Sequence, residues 1–204
     1  MFLIMSGDFI GAELESELGK IPPSFLPLGN KRLYQQQIKL VPSGHEIYLT
    51  LPESYEAPID DLLWLKKNDI NIVKVNNTLS LGASLVAALN LSACSLDTDL
   101  HILFGDTLIN SLPSGVDIVG VSTVEDSYNW AIVSVDRADW FTQTADHLGD
   151  SSNKVINGYF KFSKPRDLIR ALCQHNWDFL LGLNSYHDCI GLAAVAVTEW
   201  LDFG

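Results

Sequence analysis

Short runs of apolar residues alternate along this chain with segments in which apolar side chains recur every three or four positions. The runs predict buried strands, and the longer spacing predicts helices with one buried face. The predicted strands cover residues 2–5, 45–51, 70–75, 100–104, 116–123, 130–135, 156–162 and 192–201. Helices are predicted over residues 33–40, from Ile59, after the N-cap residue Ser80 and after Ser163. A long loop with three prolines is predicted over residues 7–30.

The alternation of strands and helices predicts an α/β fold. The chain has 204 residues, 47% of them hydrophobic, which suits one domain with a substantial core. In α/β sheets the ligand crevice lies at the carboxyl ends of the strands. We therefore expect the loops after the first strand, after Val75 and after Phe104 to form one site.

The segment LHILFGDTLI, residues 100–109, is apolar except for an interruption at Gly105 and Asp106. Glycine lets the backbone turn and lets a ligand approach closely, and a carboxylate suits the hard cation Mg²⁺. A simple turn is the alternative, because these two residue types are common in turns. A second carboxylate, Asp202, follows the last apolar run in TEWLDFG. The two carboxylates would form a metal pair, unless Asp202 belongs to a solvated terminus.

Charge and cysteine content exclude several classes of function. The formal net charge is −12, which argues against nucleic-acid binding by a basic face. Cys94, Cys173 and Cys189 form no CxxC pair, so neither a disulfide framework nor a cysteine zinc site is expected, and a reducing, cytoplasmic setting fits. The longest apolar stretches are too short to cross a bilayer, so no membrane insertion is expected.

Six segments in order resemble the motifs of the sugar-phosphate nucleotidyltransferases. They are PPSFLPLGNKRLYQQQI from Pro22, LSLGASLVAALN from Leu79, LFGDTLI from Leu103, VEDSYNWAIVSVD from Val124, VINGYFKFS from Val155 and EWLDFG from Glu199. The resemblance implies one domain over residues 1–204 with a GT-A-like, Rossmann-related, mixed and mostly parallel sheet flanked by helices. It also implies transfer of a nucleotide from a nucleoside triphosphate to a sugar phosphate, with release of pyrophosphate, for activated-sugar or surface-polysaccharide synthesis.

The resemblance also assigns roles to individual residues. Asp106 and Asp202 would hold Mg²⁺, and Asp106 would serve catalysis. Lys20, with Lys31 and Arg32 as alternatives, would be the catalytic cation in place of the family's unmatched lysines. Ser6, Gly7, Gly82 and Ser84 would contact the nucleotide, and Tyr128, Trp130, Asn157 and Gly158 would contact the sugar phosphate. Structural alternatives stay open: helix capping and close packing for Gly82 and Ser84, core packing for Tyr128 and Trp130, and a β-bulge for Asn157 and Gly158.

The chain departs from the family pattern at its cations. The loop SGDFIG, residues 6–11, has no arginine, Ser24 follows Pro23 where the family has lysine, and residues 139–153 offer no matching lysine. A nucleotide- or sugar-binding domain that does not turn over is therefore an alternative. A GT-A glycosyltransferase is another, although the DxD spacing of Asp97 and Asp99 precedes its strand. The resemblance further predicts a chain that continues beyond Gly204 into a fused C-terminal domain, and it allows a homo-oligomer.

Overall fold

A nine-stranded mixed sheet forms the centre of the protein in a computed structural model, which describes residues 1–124, 130–134, 140–143 and 154–204. Tyr128, one of the predicted sugar contacts, lies outside the described residues. No helix among the described residues is both long enough and apolar enough to span a bilayer.

The strands are β1 (Phe2–Met5), β2 (Pro27–Leu28), β3 (Lys31–Arg32), β4 (Ile47–Pro52), β5 (Ile70–Val75), β6 (Leu100–Phe104), β7 (Thr107–Ile109), β8 (Ile118–Thr123), β9 (Ala131–Val133), β10 (Phe141–Gln143), β11 (Lys154–Phe162), β12 (Ala193–Ala196) and β13 (Trp200–Asp202). The helices are α1 (Ala12–Leu18), α2 (Leu33–Gln37), α3 (Ile59–Lys67), α4 (Leu81–Leu91), α5 (Pro165–Gln174) and α6 (Phe179–Ile190). Short 3-10 turns cover Pro23–Phe25 and Ile38–Leu40.

Four strands form a parallel block in the order β6-β1-β4-β5, while β2 and β3 pair with each other in a separate two-stranded sheet. Beyond β6 the sheet continues through the antiparallel strand β11, followed by β9 and β10. The predicted α/β fold with a mixed, mostly parallel sheet is confirmed. The parallel block brings the carboxyl ends of β1, β5 and β6 to one edge, as the sequence predicted.

Strand β11 changes partner along its length. On one side it pairs with β8 throughout, and on the other side it pairs first with β9 and then with β6. The change coincides with a β-bulge between Ile156 and Phe160. This leaves a gap in the sheet between β9 and the end of β6, and the bulge faces that gap.

Helices cover both faces of the sheet, so the parallel strands are buried on both faces. In β1, Leu3 and Met5 pack into the cluster that contains α4, α5 and α6, whereas Phe2 and Ile4 pack toward α2 and α3. A continuous apolar run in a short strand is typical of this arrangement.

Several elements differ from the sequence prediction, and the short strands β2, β3, β7 and β10 were not predicted. Helix α1 lies inside the predicted loop and buries none of its residues, so it has no apolar face to reveal it. Helix α6 was not predicted. The single strand predicted over residues 192–201 is wrong: it is two strands, with β12 in the main sheet and β13 paired with β7 in a separate two-stranded sheet.

Candidate active site

The loops that follow β1 and β5 enclose a cavity of about 350 Å³ at the carboxyl edge of the parallel strands. We call it the loop cavity. Its lining includes Ser6, Gly7, Asp8, Phe9, Asn76, Asn77 and Ser84 together with Phe104 and Asp106. Three of the predicted nucleotide contacts therefore line the same cavity: Ser6, Gly7 and Ser84.

Ser6 has a structural duty in this loop. Its backbone N–H donates to Thr50 Oγ1 at 2.7 Å, and its own hydroxyl accepts a hydrogen bond from the Ser24 N–H at 3.0 Å. Its side chain is buried. The hydroxyl therefore connects the β1 loop to the proline segment. Ser6 would support ligand binding by fixing the backbone of this loop rather than by a contact of its side chain.

The amino-terminal end of α4 borders the loop cavity. The Ser80 hydroxyl accepts from the Ala83 N–H at 3.3 Å, which confirms the predicted N-cap. Gly82 faces away, since a Cβ there would lie 2.3 Å from the carbonyl oxygen of Trp177. The packing alternative therefore accounts for Gly82, whereas Ser84 lines the cavity and keeps its predicted role.

Gln37 stabilises the turn after β6. It is one of three consecutive glutamines, a run that by itself predicts a solvated or subunit-facing surface. That prediction is wrong, because Gln37 is fully buried. Its Nε2 donates to the carbonyl oxygens of Phe104 at 2.9 Å, Gly105 at 3.2 Å and Thr107 at 2.7 Å. Three carbonyls bound by one amide fix the backbone on both sides of Asp106. A run of three glutamines on a short helix gave no signal for this.

Gly105 is required by close approach rather than by an unusual dihedral angle. A Cβ on Gly105 would lie 2.7 Å from the Cβ of Ser6. The glycine thus lets the β6 turn pass directly against the β1 loop, and Asp106 emerges between the two.

Asp202 reaches Asp106 through strand pairing. In the antiparallel pair of β13 with β7, Asp202 is opposite Thr107, and the Phe203 N–H donates to the Asp106 carbonyl at 3.0 Å. A Cβ placed on Gly204 would lie 2.8 Å from Asp106 Oδ2 and 3.4 Å from Asp202 Oδ1. Both carboxylates therefore approach one point, as predicted from the sequence.

Burial makes both carboxylates harder to ionise. Burial raises the pKa of Asp202 to about 6, with a further contribution from the charge of Asp106. Burial also raises the pKa of Asp106, against the opposing hydrogen bond from the Thr107 hydroxyl. Both shifts have the direction that a bound cation would reverse.

A second cavity, of about 390 Å³, opens at the gap between β9 and β6. We call it the aromatic cavity, because five aromatic side chains line it: Phe104, Trp130, Phe160, Phe179 and Trp200. Asp106, Asp178 and Asp202 line it as well. The two cavities share Leu81, Phe104 and Asp106, so they meet at the carboxylate pair.

Three predicted sugar contacts line the aromatic cavity. Trp130 meets Trp200 edge to face, with ring centroids 5.1 Å apart. Gly158 has a φ of +87° in the bulge of β11, a conformation that favours glycine. The Asn157 side chain donates to Ser122 Oγ at 3.2 Å and accepts from the Tyr159 N–H at 3.2 Å, so it stabilises the bulge. The bulge alternative is confirmed, and any ligand contact of Asn157 would be additional.

Lys20 lies beside the loop cavity without lining it. Its Nζ stands 4.5 Å from the centroid of the Phe9 ring, and Phe9 is part of the lining. Among the described residues that line either cavity, none is a lysine or an arginine. The sequence lacks the family's cations at the expected positions, and the described lining of the two cavities supplies none from elsewhere in the chain.

The DxD-spaced aspartates are far from both cavities. They precede β6 and lie at its amino end, where Asp97 pairs with Arg166 at 3.1 Å and Asp99 with Lys161 at 3.0 Å. Ion pairing accounts for both residues, which removes the motif that a glycosyltransferase would use.

The carboxylate pair fits Mg²⁺ by its donor set. Mg²⁺ is usually held by one or two protein carboxylates, with phosphate oxygens and water completing six ligands. No group of three or more histidine, cysteine, aspartate or glutamate side chains that could hold a metal ion occurs among the described residues.

A search by sequence finds neither a matching protein-family model nor a matching curated protein. Comparison of the fold gives a different result. A nucleoside-diphosphate-sugar pyrophosphorylase from Vibrio cholerae RC9 matches with a TM-score of 0.77 and 10% identity, over 100% of this chain and 95% of the other.

Two further solved structures are similar. One is a provisionally named glucose-1-phosphate thymidylyltransferase from Bacillus anthracis, with a TM-score of 0.69 and 11% identity over 98% of this chain and 88% of the other. The second is the inositol-1-phosphate CTP transferase of T. maritima, with a TM-score of 0.67 and 16% identity over 98% of this chain and 86% of the other. The fold implied by the resemblance to sugar-phosphate nucleotidyltransferases is thereby confirmed over nearly the whole chain.

Proposed function

We propose that this protein joins a nucleoside triphosphate to a phosphorylated small molecule of the sugar-phosphate type. A phosphate oxygen of the acceptor attacks the α-phosphorus of the triphosphate, and a new P–O–P bond forms. The bond between the α-phosphorus and the bridging oxygen breaks, and pyrophosphate leaves with that oxygen. The products are pyrophosphate and the nucleoside monophosphate joined through the new P–O–P bond to the phosphorylated acceptor.

The observation that supports this proposal is the meeting of two cavities at one pair of carboxylates. The loop cavity offers uncharged polar groups, including Asn76, Asn77 and Ser84, which suit a base and a ribose. The aromatic cavity lies on the other side of Asp106 and would take the acceptor. An acceptor and a triphosphate bound in this way would face each other at the Asp106–Asp202 pair, as in-line transfer requires.

The residues of the chain would mainly position the reactants. Asp106 and Asp202 would hold Mg²⁺, which when bound neutralises phosphate charge during transfer. Gln37 fixes the backbone that presents Asp106. Lys20 would approach the triphosphate from the rim of the loop cavity, where it now stacks on Phe9. The likeness of the fold to three nucleotidyltransferases supports the same reaction class.

The finer expectations from the sequence remain proposals. They are a role in activated-sugar or surface-polysaccharide synthesis, a cytoplasmic location, a homo-oligomer, and a longer chain with a fused C-terminal domain. Mass analysis of the native gene product and of the assembled protein would test the last two directly.

A pyrophosphate-release screen tests the proposed function. The protein is incubated with Mg²⁺, each common nucleoside triphosphate and a panel of sugar phosphates, with EDTA as the matched control. We expect release that requires both substrates and stops with EDTA. Nucleotide binding without release from any pair would contradict turnover and leave the site as a binding module, and no nucleotide binding would contradict the reaction class itself.

A further inference from the structure

We propose that the aromatic cavity selects a phosphorylated acceptor that bears an ammonium group, such as an amino-sugar phosphate or a phosphorylated amino alcohol. This inference rests on the proposed function for the phosphate part of the acceptor. It adds the chemical class of the remainder of the acceptor, which the fold does not specify.

The first observation is the aromatic lining. Phe104, Phe160 and Phe179 form one group, with ring centroids 5.4 to 6.1 Å apart. Trp130 and Trp200 form a second group, with centroids 5.1 Å apart. Aromatic faces attract ammonium groups within about 6 Å, and tryptophan does so most strongly. A neutral sugar would also stack on these rings, so the lining alone leaves both classes of acceptor.

The charge of the lining discriminates between them. Asp106, Asp178 and Asp202 contribute three carboxylates, and the described residues that line this cavity include no lysine or arginine. Three carboxylates beside low-dielectric aromatic walls, with no lysine or arginine among the described lining residues, favour a negative potential. A neutral acceptor would gain only hydrogen bonds from its hydroxyl groups to the carboxylates, and a doubly charged phosphate would be repelled except where Mg²⁺ shields it. A cationic group on the acceptor would be attracted.

The positions of the carboxylates suggest how the acceptor would be oriented. Asp106 lines both cavities and Asp202 lies beside it in the aromatic cavity, so with Mg²⁺ the two would receive the phosphate end. Asp178 begins α6 on the other wall, next to Phe179. With the first two carboxylates engaged by the metal, Asp178 is the carboxylate left for an ammonium group.

The helix terminus does not reverse this preference. An N-terminus attracts anions through its free N–H groups, but Asp178 is itself the N-cap and its carboxylate accepts from the Leu181 N–H at 2.9 Å. The cap therefore fills the anion position with protein charge. Its exposed carboxylate has further lone pairs to offer a ligand.

Matched acceptor pairs test the inference. The probes are glucosamine 1-phosphate against glucose 1-phosphate, and ethanolamine phosphate against glycerol phosphate. Each is measured by calorimetric binding with Mg²⁺ and by pyrophosphate release with the preferred nucleoside triphosphate. We expect the ammonium member of at least one pair to bind tenfold more tightly or more. Equal or weaker binding of both ammonium members would overturn the inference.

The two measurements separate the inference from the proposed function. Release with a neutral acceptor and no ammonium preference would keep the function and reject the inference. Preferential binding without release from any acceptor would keep the inference and reject the function.

A charge-only variant identifies the carboxylate involved. Asp178→Asn retains a residue that caps helices as well as aspartate does and removes only the negative charge. We expect it to reduce the ammonium preference to threefold or less. Asp188→Asn is the matched control, since it makes the same change at an exposed position of the same helix away from the cavity. An unchanged preference in Asp178→Asn would overturn the assignment.

Discussion

The two ends of β6 both hold buried ionisable side chains, and they treat charge in opposite ways. Near the amino end, His101 Nδ1 lies 2.9 Å from the Tyr159 hydroxyl, and burial lowers the pKa of His101 to about 4. The histidine is therefore neutral at pH 7 and bonded within the protein. At the carboxyl end, Asp106 and Asp202 approach each other, and the pKa of Asp202, about 6, still leaves it ionised at pH 7.

The difference separates a stabilising pair from a candidate site. The His101–Tyr159 pair satisfies its own hydrogen bond and carries no charge, so it needs nothing from outside. The carboxylate pair combines two negative charges, and the described residues that line its cavities bring no lysine or arginine to it. A cation from solution would relieve that repulsion, which is the physical reason to place Mg²⁺ at this end of the strand.

Asp106→Asn should have the largest effect on activity, because it alters the carboxylate pair at the carboxyl end of β6. The amide is of similar size but weakens metal binding, so we expect pyrophosphate release to fall by about 10³-fold, the scale seen when one electrostatic element of a transition state is removed. The thermal midpoint of the metal-free protein should not fall, because the variant removes a charge that burial disfavours. Asp97→Asn, at the amino end of β6, is the control and should retain activity. Normal release by Asp106→Asn would remove Asp106 from the site.

Gln37→Met should weaken the hydrogen bonds that fix the backbone around Asp106. The thioether leaves the carbonyls of Phe104, Gly105 and Thr107 without their shared donor, and buried groups that lose a partner cost about 1–3 kcal/mol. We expect the free energy of unfolding to fall by roughly 3 kcal/mol and Mg²⁺ binding to weaken. Chemical denaturation and metal titration measure the two effects.

Gln36→Met provides the comparison for that variant. It changes the neighbouring residue of α2, whose side chain accepts a hydrogen bond from the exposed Lys39. Unchanged metal affinity in a folded Gln37→Met protein would show that Gln37 supports the fold without positioning Asp106.

The sequence predicted Asp106 better than its surroundings. A carboxylate directly after a buried strand falls at the sheet edge by strand direction alone, so its position could be inferred. Asp202 was placed correctly through the family resemblance, but the contact depends on the register of β13 against β7, which no local pattern encodes. Gln37 and Asp178 were missed because their roles depend on which backbone or cavity the fold brings to them.

The helices show the same limit. Helix α4 was predictable from the Ser80 cap and its apolar face, both of which are local signals. Helix α1 buries no side chain, and its N-cap, Gly11, makes no side-chain hydrogen bond, so the acidic first turn with Glu13 and Glu15 was its main local signal. Tertiary context decided the remaining differences, including the break between β12 and β13.

Asp202 gives the carboxyl end a pH dependence that is opposite in sign to the one that His101 gives the amino end. Because burial raises its pKa from 3.8 to about 6, the folded metal-free protein holds a proton that the unfolded chain has released. Asp202 alone should therefore lower the free energy of unfolding by about 1–2 kcal/mol between pH 4 and pH 6, since solvent screens part of the effect, whereas the lowered pKa of His101 should raise it over the same range. Denaturation curves of the parent protein and of Asp202→Asn isolate the Asp202 contribution: relative to the parent, the variant should gain about that much stability between pH 4 and pH 6.

Saturating Mg²⁺ should counteract the same fall. The metal binds the ionised carboxylates, so its stabilisation grows as the pH rises through about 6. An Asp202→Asn protein with the full pH dependence would contradict the assignment of that pKa, and an unchanged slope in the presence of Mg²⁺ would contradict metal binding at the pair.

Tyr159→Phe tests the amino end of β6 and should have the smallest effect of these variants. Removal of the hydroxyl leaves the buried Nδ1 of His101 without its partner, and one neutral hydrogen bond contributes about 1 kcal/mol to stability. We expect the free energy of unfolding to fall by that amount, measured by chemical denaturation. Mg²⁺ affinity and pyrophosphate release should stay within twofold of the parent protein, because the pair lies at the opposite end of β6 from Asp106. If Tyr159→Phe weakened Mg²⁺ binding as much as Gln37→Met does, the two ends of the strand would be coupled, and the separation of stabilising from functional charge would not hold.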